Sequence, residues 1–201
     1  MIAAIVLAAG RGTRFGAIKP LVPIAGEPTL QRVLQRLDEA GVPDRIVVLG
    51  HAAGAIRGAV DLNRCAVVVN RDYRTGMASS LAAGIRAVPA AADGGLVLHA
   101  DMPYVAVSTI RAVVAAARKG AVLAAPVHRG QRGFPVYLHR STFAELLTTL
   151  VDEVGARRYI ARHTEALVRV EVDDAGAVHD VDRPSDVVLE REEHESSVRA
   201  A

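Results

Sequence analysis

The chain has 201 residues, of which 51% are hydrophobic, with three Phe, four Tyr and no Trp. A formal net charge of +2 gives no strong field for nucleic acid or for a membrane surface. No apolar run reaches the roughly 20 residues that span a bilayer, and no basic leader precedes the first apolar run. The only cysteine, Cys65, cannot form an internal disulfide. We therefore expect a protein of the reducing cytoplasm, without a nucleic-acid or membrane partner.

The chain alternates short apolar runs with helical patterns from one end to the other. Strands are predicted at residues 3–7, 45–49, 65–69, 95–98, 122–125, 134–138 and 167–172. Helices are predicted from Pro28 to Gly41, at 79–88, 107–118, 142–150 and 156–163, and from Pro184 onward. Such alternation predicts an α/β fold, a three-layer α/β/α sandwich around a mainly parallel, Rossmann-like sheet.

We predict one domain over residues 1–190, followed by a loose tail over 191–201. Ligands of such sheets bind at the carboxyl ends of the strands. The loops that matter for chemistry are therefore expected after Leu7, Leu49, Val69 and Leu98.

A glycine-rich loop follows the first strand and ends at Lys19. Its glycines are Gly10, Gly12 and Gly16, and its cations are Arg11, Arg14 and Lys19. The glycine spacing matches neither the dinucleotide fingerprint nor the P-loop. Glycines allow backbone N–H groups to approach a phosphate, and three cations suit a triphosphate. A glycine-rich turn with solvated cations is the alternative.

Carboxylates at two later positions suggest a metal site. Asp101 follows an apolar strand, so it is the first predicted ligand for Mg²⁺, which prefers oxygen ligands. Asp182 is the second candidate, ahead of Asp180. Each could instead cap a helix. Ser79 and Ser80 begin a helix after a glycine, where N–H groups can hold an anion or a base edge, although ordinary helix caps would look the same.

The loop and five later elements resemble the signature of the nucleotidyltransferases that cytidylylate or guanylylate molybdopterin. The later elements are Gly76–Leu81, Asp101–Pro103, Arg132–Pro135, Gly155–Arg157 and Asp180–Asp186. The resemblance extends from Ile5 to about Val188. It implies an NTP transferase fold, a Mg²⁺ cofactor, a nucleoside triphosphate and a molybdopterin-type acceptor. A molybdoenzyme or a maturation chaperone is the implied protein partner.

The resemblance also implies a role for each matching residue. Catalytic roles are implied for Arg14, Lys19 and Asp101. Nucleotide binding is implied for Leu7, Ala8, Ala9, Gly10, Arg11, Gly12, Arg14, Lys19, Gly76, Ser79 and Ser80. Acceptor binding is implied for Gly133, Pro135, Gly155 and Arg157, and metal binding for Asp101 and Asp182. In this family the Ala8-Ala9 pair accompanies CTP more than GTP.

The chain departs from the family pattern on the acceptor side. Phe134 stands where a polar residue is usual, and Asp152-Glu153 where Gly-Asp is usual. Three alternatives stay open: a sugar- or alditol-phosphate nucleotidyltransferase, a diverged relative acting as an oxidoreductase, and a nucleotide-binding module without activity.

Overall fold

A computed structural model gives the structure of residues 1–12, 16–150 and 156–189, and the description below concerns these residues. The central sheet has eight strands, seven of them in the order β10-β7-β9-β6-β1-β4-β5, with β8 paired to β7. The strands are β1 Ile2–Ala8, β4 Arg45–Leu49, β5 Cys65–Val69, β6 Gly94–His99, β7 Leu123–His128, β8 Gln131–Arg132, β9 Val136–His139 and β10 Leu167–Glu171. A separate hairpin pairs β2 Pro23–Ile24 with β3 Glu27–Pro28.

The sheet is mainly parallel, as predicted. Parallel pairs join β4 to β1, β1 to β6, β4 to β5 and β7 to β10. The exceptions are β9, which is antiparallel to both β6 and β7, and β8, which is antiparallel to β7. The predicted α/β class is therefore confirmed, with β9 reversed between β6 and β7 and the short β8 paired antiparallel to β7.

Six α-helices cover the two faces of this sheet within the described residues. They are α1 Thr29–Glu39, α2 Ala53–Ala59, α3 Met77–Arg86, α4 Val107–Arg118, α5 Phe143–Thr149 and α6 Arg157–Arg162. Apolar residues of α1, α2 and α4 pack on one face, against side chains such as Val6 of β1. Those of α3, α5 and α6 pack on the other face, against side chains such as Ile5. Alternation along a buried strand thus supplies both cores.

One predicted element needs correction, and one helix was missed. The segment from Pro184 is a short 3-10 helix, Pro184–Leu189, rather than the start of an α-helix. The sequence also gave no sign of α2, because its residues are Ala, Gly and Arg around one buried side chain, Ile56. Glu190 and the predicted tail over 191–201 lie outside the described residues, and the single-domain organisation stays a prediction.

None of the helices in the described part of the chain is both long and apolar enough to cross a lipid bilayer.

Candidate active site

One cavity of about 500 Å³ opens at the carboxyl ends of the central strands. Most of the predicted nucleotide and metal residues line it: Leu7, Ala8, Ala9, Gly10, Arg11, Gly12, Lys19, Gly76, Ser80, Asp101 and Asp182. It is also lined by Pro20, Tyr73, Arg74, Met77, His99 and Ala100. Residues from the loops after β1, β5 and β6 therefore meet at one place.

The glycine loop is folded back so that Lys19 lies beside it. Gly12 has a positive φ of 58°, and a Cβ there would lie 2.6 Å from the Ala17 carbonyl oxygen and 3.1 Å from Lys19 Cγ. Only glycine therefore fits at this bend. A 3-10 turn over Lys19–Leu21 follows, and the hydroxyl of Thr29 donates to the Lys19 carbonyl at 2.6 Å. The backbone of Lys19 is thus fixed by the first residue of α1.

Three carboxylates form an acidic cluster at one end of the cavity: Asp101, Asp180 and Asp182. One ligand atom from each lies within 4.8 Å of the others. Asp101 follows β6. The other two belong to the returning segment, residues 174–182, which runs back to the sheet after β10. Its Val181 N–H donates to the Asp101 carbonyl at 2.8 Å. The sequence ranked Asp180 below Asp182, and the structure brings both to Asp101.

The ammonium group of Lys19 lies inside this acidic cluster. Its Nζ donates to Asp101 Oδ2 at 3.1 Å and also contacts Asp182 Oδ1. Burial alone would lower the pKa of Lys19, but the hydrogen bonds and charges of Asp182 and Asp101 raise it above its ordinary value. Lys19 is therefore a cation that offsets part of the negative charge of three carboxylates.

The acidic cluster suits a divalent metal ion. Hard cations such as Mg²⁺ take carboxylate oxygens, and here three side chains can each offer one within a small radius. Asp182 is further oriented by the turn that follows it, because Asp186 Oδ2 accepts from the N–H groups of Asp182 and Arg183 at 2.9 and 2.7 Å. The donor set and its support thus fit the metal predicted from the sequence.

His99 borders the cavity next to the acidic cluster. Burial lowers its pKa, against the opposing charges of Asp101 and Asp180. Its ring lies 4.4 Å from that of Phe134, centroid to centroid. The His99 ring and Phe134 therefore connect the cavity to the turn at Gly133–Pro135.

Three of the predicted acceptor residues, Gly133, Pro135 and Arg157, are not among the cavity-lining residues. Gly133 contacts the returning segment so closely that a Cβ would lie 2.1 Å from the Ala177 carbonyl oxygen. Burial and the positive charge of nearby Arg157 lower the pKa of Arg132. The charges of Arg132 and Arg157 therefore affect each other; the sequence assigned acceptor binding to Arg157 and named Arg132 only as part of the Arg132–Pro135 element.

Two further predicted site residues lie outside the described residues, and a third borders a different groove. Arg14 and Gly155 lie outside the described residues. Ser79 borders a neighbouring groove instead of the main cavity, and its hydroxyl contacts the carbonyls of Asp72 and Gly76 at 3.0 and 2.9 Å. Adjacent residues of a helix point in different directions, so only Ser80 of the serine pair faces the cavity.

Comparison with known proteins agrees with this arrangement. Residues 4–167 match the family model described as the MobA-like NTP transferase domain. The chain is 26% identical over 188 residues to nicotine blue oxidoreductase of Paenarthrobacter nicotinovorans, with 90% of this chain and 92% of that protein aligned. It is 32% identical over 179 residues to the bifunctional protein GlmU of Anaeromyxobacter sp. (strain K), covering 79% of this chain but only 36% of that protein.

Solved structures share the fold over most of the chain. Rv0371c from Mycobacterium tuberculosis H37Rv superposes with a TM-score of 0.83 at 30% identity, covering 92% of this chain and 95% of that one. A complex of Rv0371c with manganese gives a TM-score of 0.79 at 29% identity, with the same coverage. A nucleotidyl transferase from Methanothermobacter thermautotroptrophicus gives 0.81 at 25% identity, covering 98% and 99% of the two chains.

Proposed function

This chain belongs to the MobA-like NTP transferase domain family, and from that premise we propose that it transfers CMP from CTP to a molybdopterin-type acceptor. An acceptor phosphate oxygen attacks the α-phosphorus of CTP, the bond from that phosphorus to the bridging oxygen of the β-phosphate breaks, and pyrophosphate leaves. The observation that carries the proposal is the placement of the glycine loop, Lys19 and the acidic cluster around one cavity. A molybdoenzyme or a maturation chaperone would receive the product.

Different residues of the cavity would bind the phosphates, neutralise the leaving group and hold the metal ion. The backbone of Ala8–Gly12 approaches the phosphates, and Lys19 neutralises the leaving pyrophosphate together with Arg14. Asp101 and Asp182, joined by Asp180, would hold a divalent ion, for which we propose Mg²⁺, and that ion would supply charge stabilisation at the phosphates. The manganese complex of Rv0371c supports a divalent ion here.

For the acceptor, we propose binding beside Gly133, Pro135 and Arg157, and the resemblance adds Gly155, which lies outside the described residues. The proximity of Arg132 to Arg157 supports an anionic acceptor, because two guanidinium groups close together favour a negatively charged ligand. Phe134, which departs from the family pattern, packs against His99 and would offer the acceptor an apolar surface.

The direct test measures pyrophosphate release from CTP, GTP, ATP and UTP with Mg²⁺ and molybdopterin. We expect release with CTP above the other nucleotides, and a loss of about 100-fold or more in Asp101→Asn, because a metal-held charge acts on the transition state. The matched control is Asp173→Asn, since that side chain is 98% exposed. No release with any nucleotide would defeat the proposal, while release with a sugar or alditol phosphate as acceptor would favour that alternative.

A second candidate is a redox reaction, which the similarity to nicotine blue oxidoreductase over 92% of that protein favours. A flavin spectrum in the purified protein would support it. Magnesium-dependent pyrophosphate release without any redox cofactor would argue for nucleotidyl transfer instead.

A further inference from the structure

Asn70 lies just after β5 and is buried, with 7% of its surface exposed. Its Oδ1 accepts from the Asp72 backbone N–H at 3.0 Å. Its Nδ2 donates to Ser79 Oγ at 2.9 Å and to Ser80 Oγ at 3.0 Å. A backbone N–H can only donate, so the amide oxygen must face Asp72 and both amide protons must go to the serines. The polarity of this small network is therefore fixed.

A serine hydroxyl that accepts from Asn70 must direct its own proton elsewhere. Ser79 has the carbonyls of Asp72 and Gly76 within reach. Within residues 1–12, 16–150 and 156–189, the hydroxyl of Ser80 donates to no protein acceptor. Ser80 borders the main cavity, so it presents a hydrogen-bond donor to whatever the cavity holds.

Ser80 and the acidic cluster lie on opposite sides of β1. Asp101 follows β6, whereas Asn70 follows β5, and β6 and β5 flank β1 and β4 in the sheet. A nucleotide whose phosphates lie at Lys19 and the acidic cluster would therefore extend its base across the glycine loop towards Ser80. This step rests on the function proposed above.

We propose that Asn70 is a positioning residue for base specificity, because it holds Ser80 as a donor. A donor at this position matches the unprotonated ring nitrogen N3 of cytosine. Uracil fits less well, because its N3 carries a proton that could use only the second lone pair of Ser80 and would leave the Ser80 proton without an acceptor there. Sites that hydrogen-bond a substrate in this way reject an analogue of the wrong polarity, since a buried polar group is then left unpaired. The ligand class is thus a cytosine nucleotide in preference to a uracil nucleotide.

The test inverts the network with Asn70→Asp. A carboxylate can still accept from the Asp72 N–H, but its second oxygen cannot donate. Ser80 would turn its proton towards that oxygen and show lone pairs to the cavity. We expect the ratio of UTP Kd to CTP Kd, measured by calorimetry with Mg²⁺ and no acceptor, to fall by about tenfold. The new carboxylate repels the triphosphates of CTP and UTP equally, so this effect cancels in the ratio of the two Kd values.

The matched control is Asn63→Asp. Asn63 is exposed and lies just before β5, at the opposite end of the strand that Asn70 follows, so the same change there should leave the ratio as in the wild type. If Asn70→Asp does not fold, Ser80→Ala provides the same test, because it deletes the donor and should lower the ratio too. Asn70 retains its bonds to Ser79 and Asp72 in that variant.

An unchanged ratio in a folded Asn70→Asp or Ser80→Ala variant would overturn this assignment and leave nucleotidyl transfer standing. Equal binding of CTP and UTP by the wild type would do the same. If the wild type binds no nucleoside triphosphate at all, the proposed function fails and this assignment fails with it.

Discussion

A single ammonium group lies where the negative charge of the candidate site is concentrated. Lys19 Nζ contacts carboxylates of Asp101 and Asp182, and these side chains are mostly shielded from water, with Lys19 17% and Asp101 19% exposed. A divalent ion that approaches the acidic cluster must therefore compete with Lys19. A bound triphosphate would relieve that competition, since it offers the ammonium group other anions. Metal and nucleotide are thus expected to favour each other's binding.

Lys19→Met tests this competition, since the change keeps the side-chain length and removes the charge. We expect the variant to bind Mn²⁺ alone about tenfold more tightly than the wild type, because a partly buried competing cation is gone. Calorimetry or the electron paramagnetic resonance signal of Mn²⁺ measures it without turnover. Lys119→Met, at the exposed end of α4, is the control. Equal or weaker Mn²⁺ binding by Lys19→Met would contradict the competition.

At the residue scale, the sequence identified which side chains carry the chemistry better than it showed where those side chains point. The spacing of Asp180 and Asp182 gave two candidates, and only the returning backbone shows that both reach Asp101. The serine pair gave two equal candidates as well, and the network around Asn70 separates them. Contacts between separate elements decide both cases, and the pattern within one element does not contain such contacts.

Among the elements, α3 lies unusually close to the sheet. A Cβ on Gly84 would lie 2.4 Å from Ile5 Cγ2 and 3.1 Å from Val48 Cγ2, so the helix packs directly on β1 and β4. This closeness brings the start of α3, with Gly76 and Ser80, to the edge of the glycine loop. The packing of one small residue thus positions part of the cavity wall.

Gly84→Ala should therefore destabilise the protein. Overpacking of a core typically costs about 1–3 kcal/mol, and urea unfolding measures the loss. Gly58→Ala is the matched comparison, because Gly58 lies in α2 with no atom within 4 Å of an added Cβ. That change should raise the free energy of unfolding by about 0.5–1 kcal/mol, since alanine favours a helix more than glycine does. A Gly84→Ala variant as stable as the wild type would refute the packing argument.

Much of the element order could be read from the sequence, and two features could not. Apolar runs of Val, Ile and Leu marked the buried strands, because both of their faces are covered by helices. The short helix α2 has only Ile56 buried, so it lacks a periodic pattern. The reversal of β9 between β6 and β7 also escaped, because a buried strand has the same composition in either direction.

Across the described part of the molecule, the pKa values of one thiol and two phenols, those of Cys65, Tyr137 and Tyr159, are raised by folding. Burial raises the pKa of the Cys65 thiol, with the charge of Arg45 opposing it. Burial likewise raises the pKa of Tyr137 and of Tyr159, helped by Asp93 and Glu145 respectively. The unfolded chain would release these protons first, at pKa values of about 8.5 for Cys and about 10 for Tyr.

The stability of the fold should therefore decline on the alkaline side. The contribution of these groups is fully present below the unfolded pKa values and is lost as pH rises through the folded ones. We expect the urea midpoint to fall steadily between about pH 8 and pH 10.5. Tyr137→Phe should reduce the slope of that fall, because it removes one of the three protons. A midpoint that stays level over this range would show that the shifts are absent.

The acidic cluster joins parts of the chain that are made at very different times. Lys19 and Asp182 are 163 positions apart, and Asp180 and Asp182 both follow the segment 4–167 that matches the family. During synthesis Lys19 and Asp101 are made before Asp180 and Asp182, and these first two side chains together carry no net charge. The surplus of negative charge that attracts a divalent ion arrives only with the late segment. Affinity for the metal should therefore appear only once the segment that carries Asp180 and Asp182 has been made, after the strands of the supporting sheet.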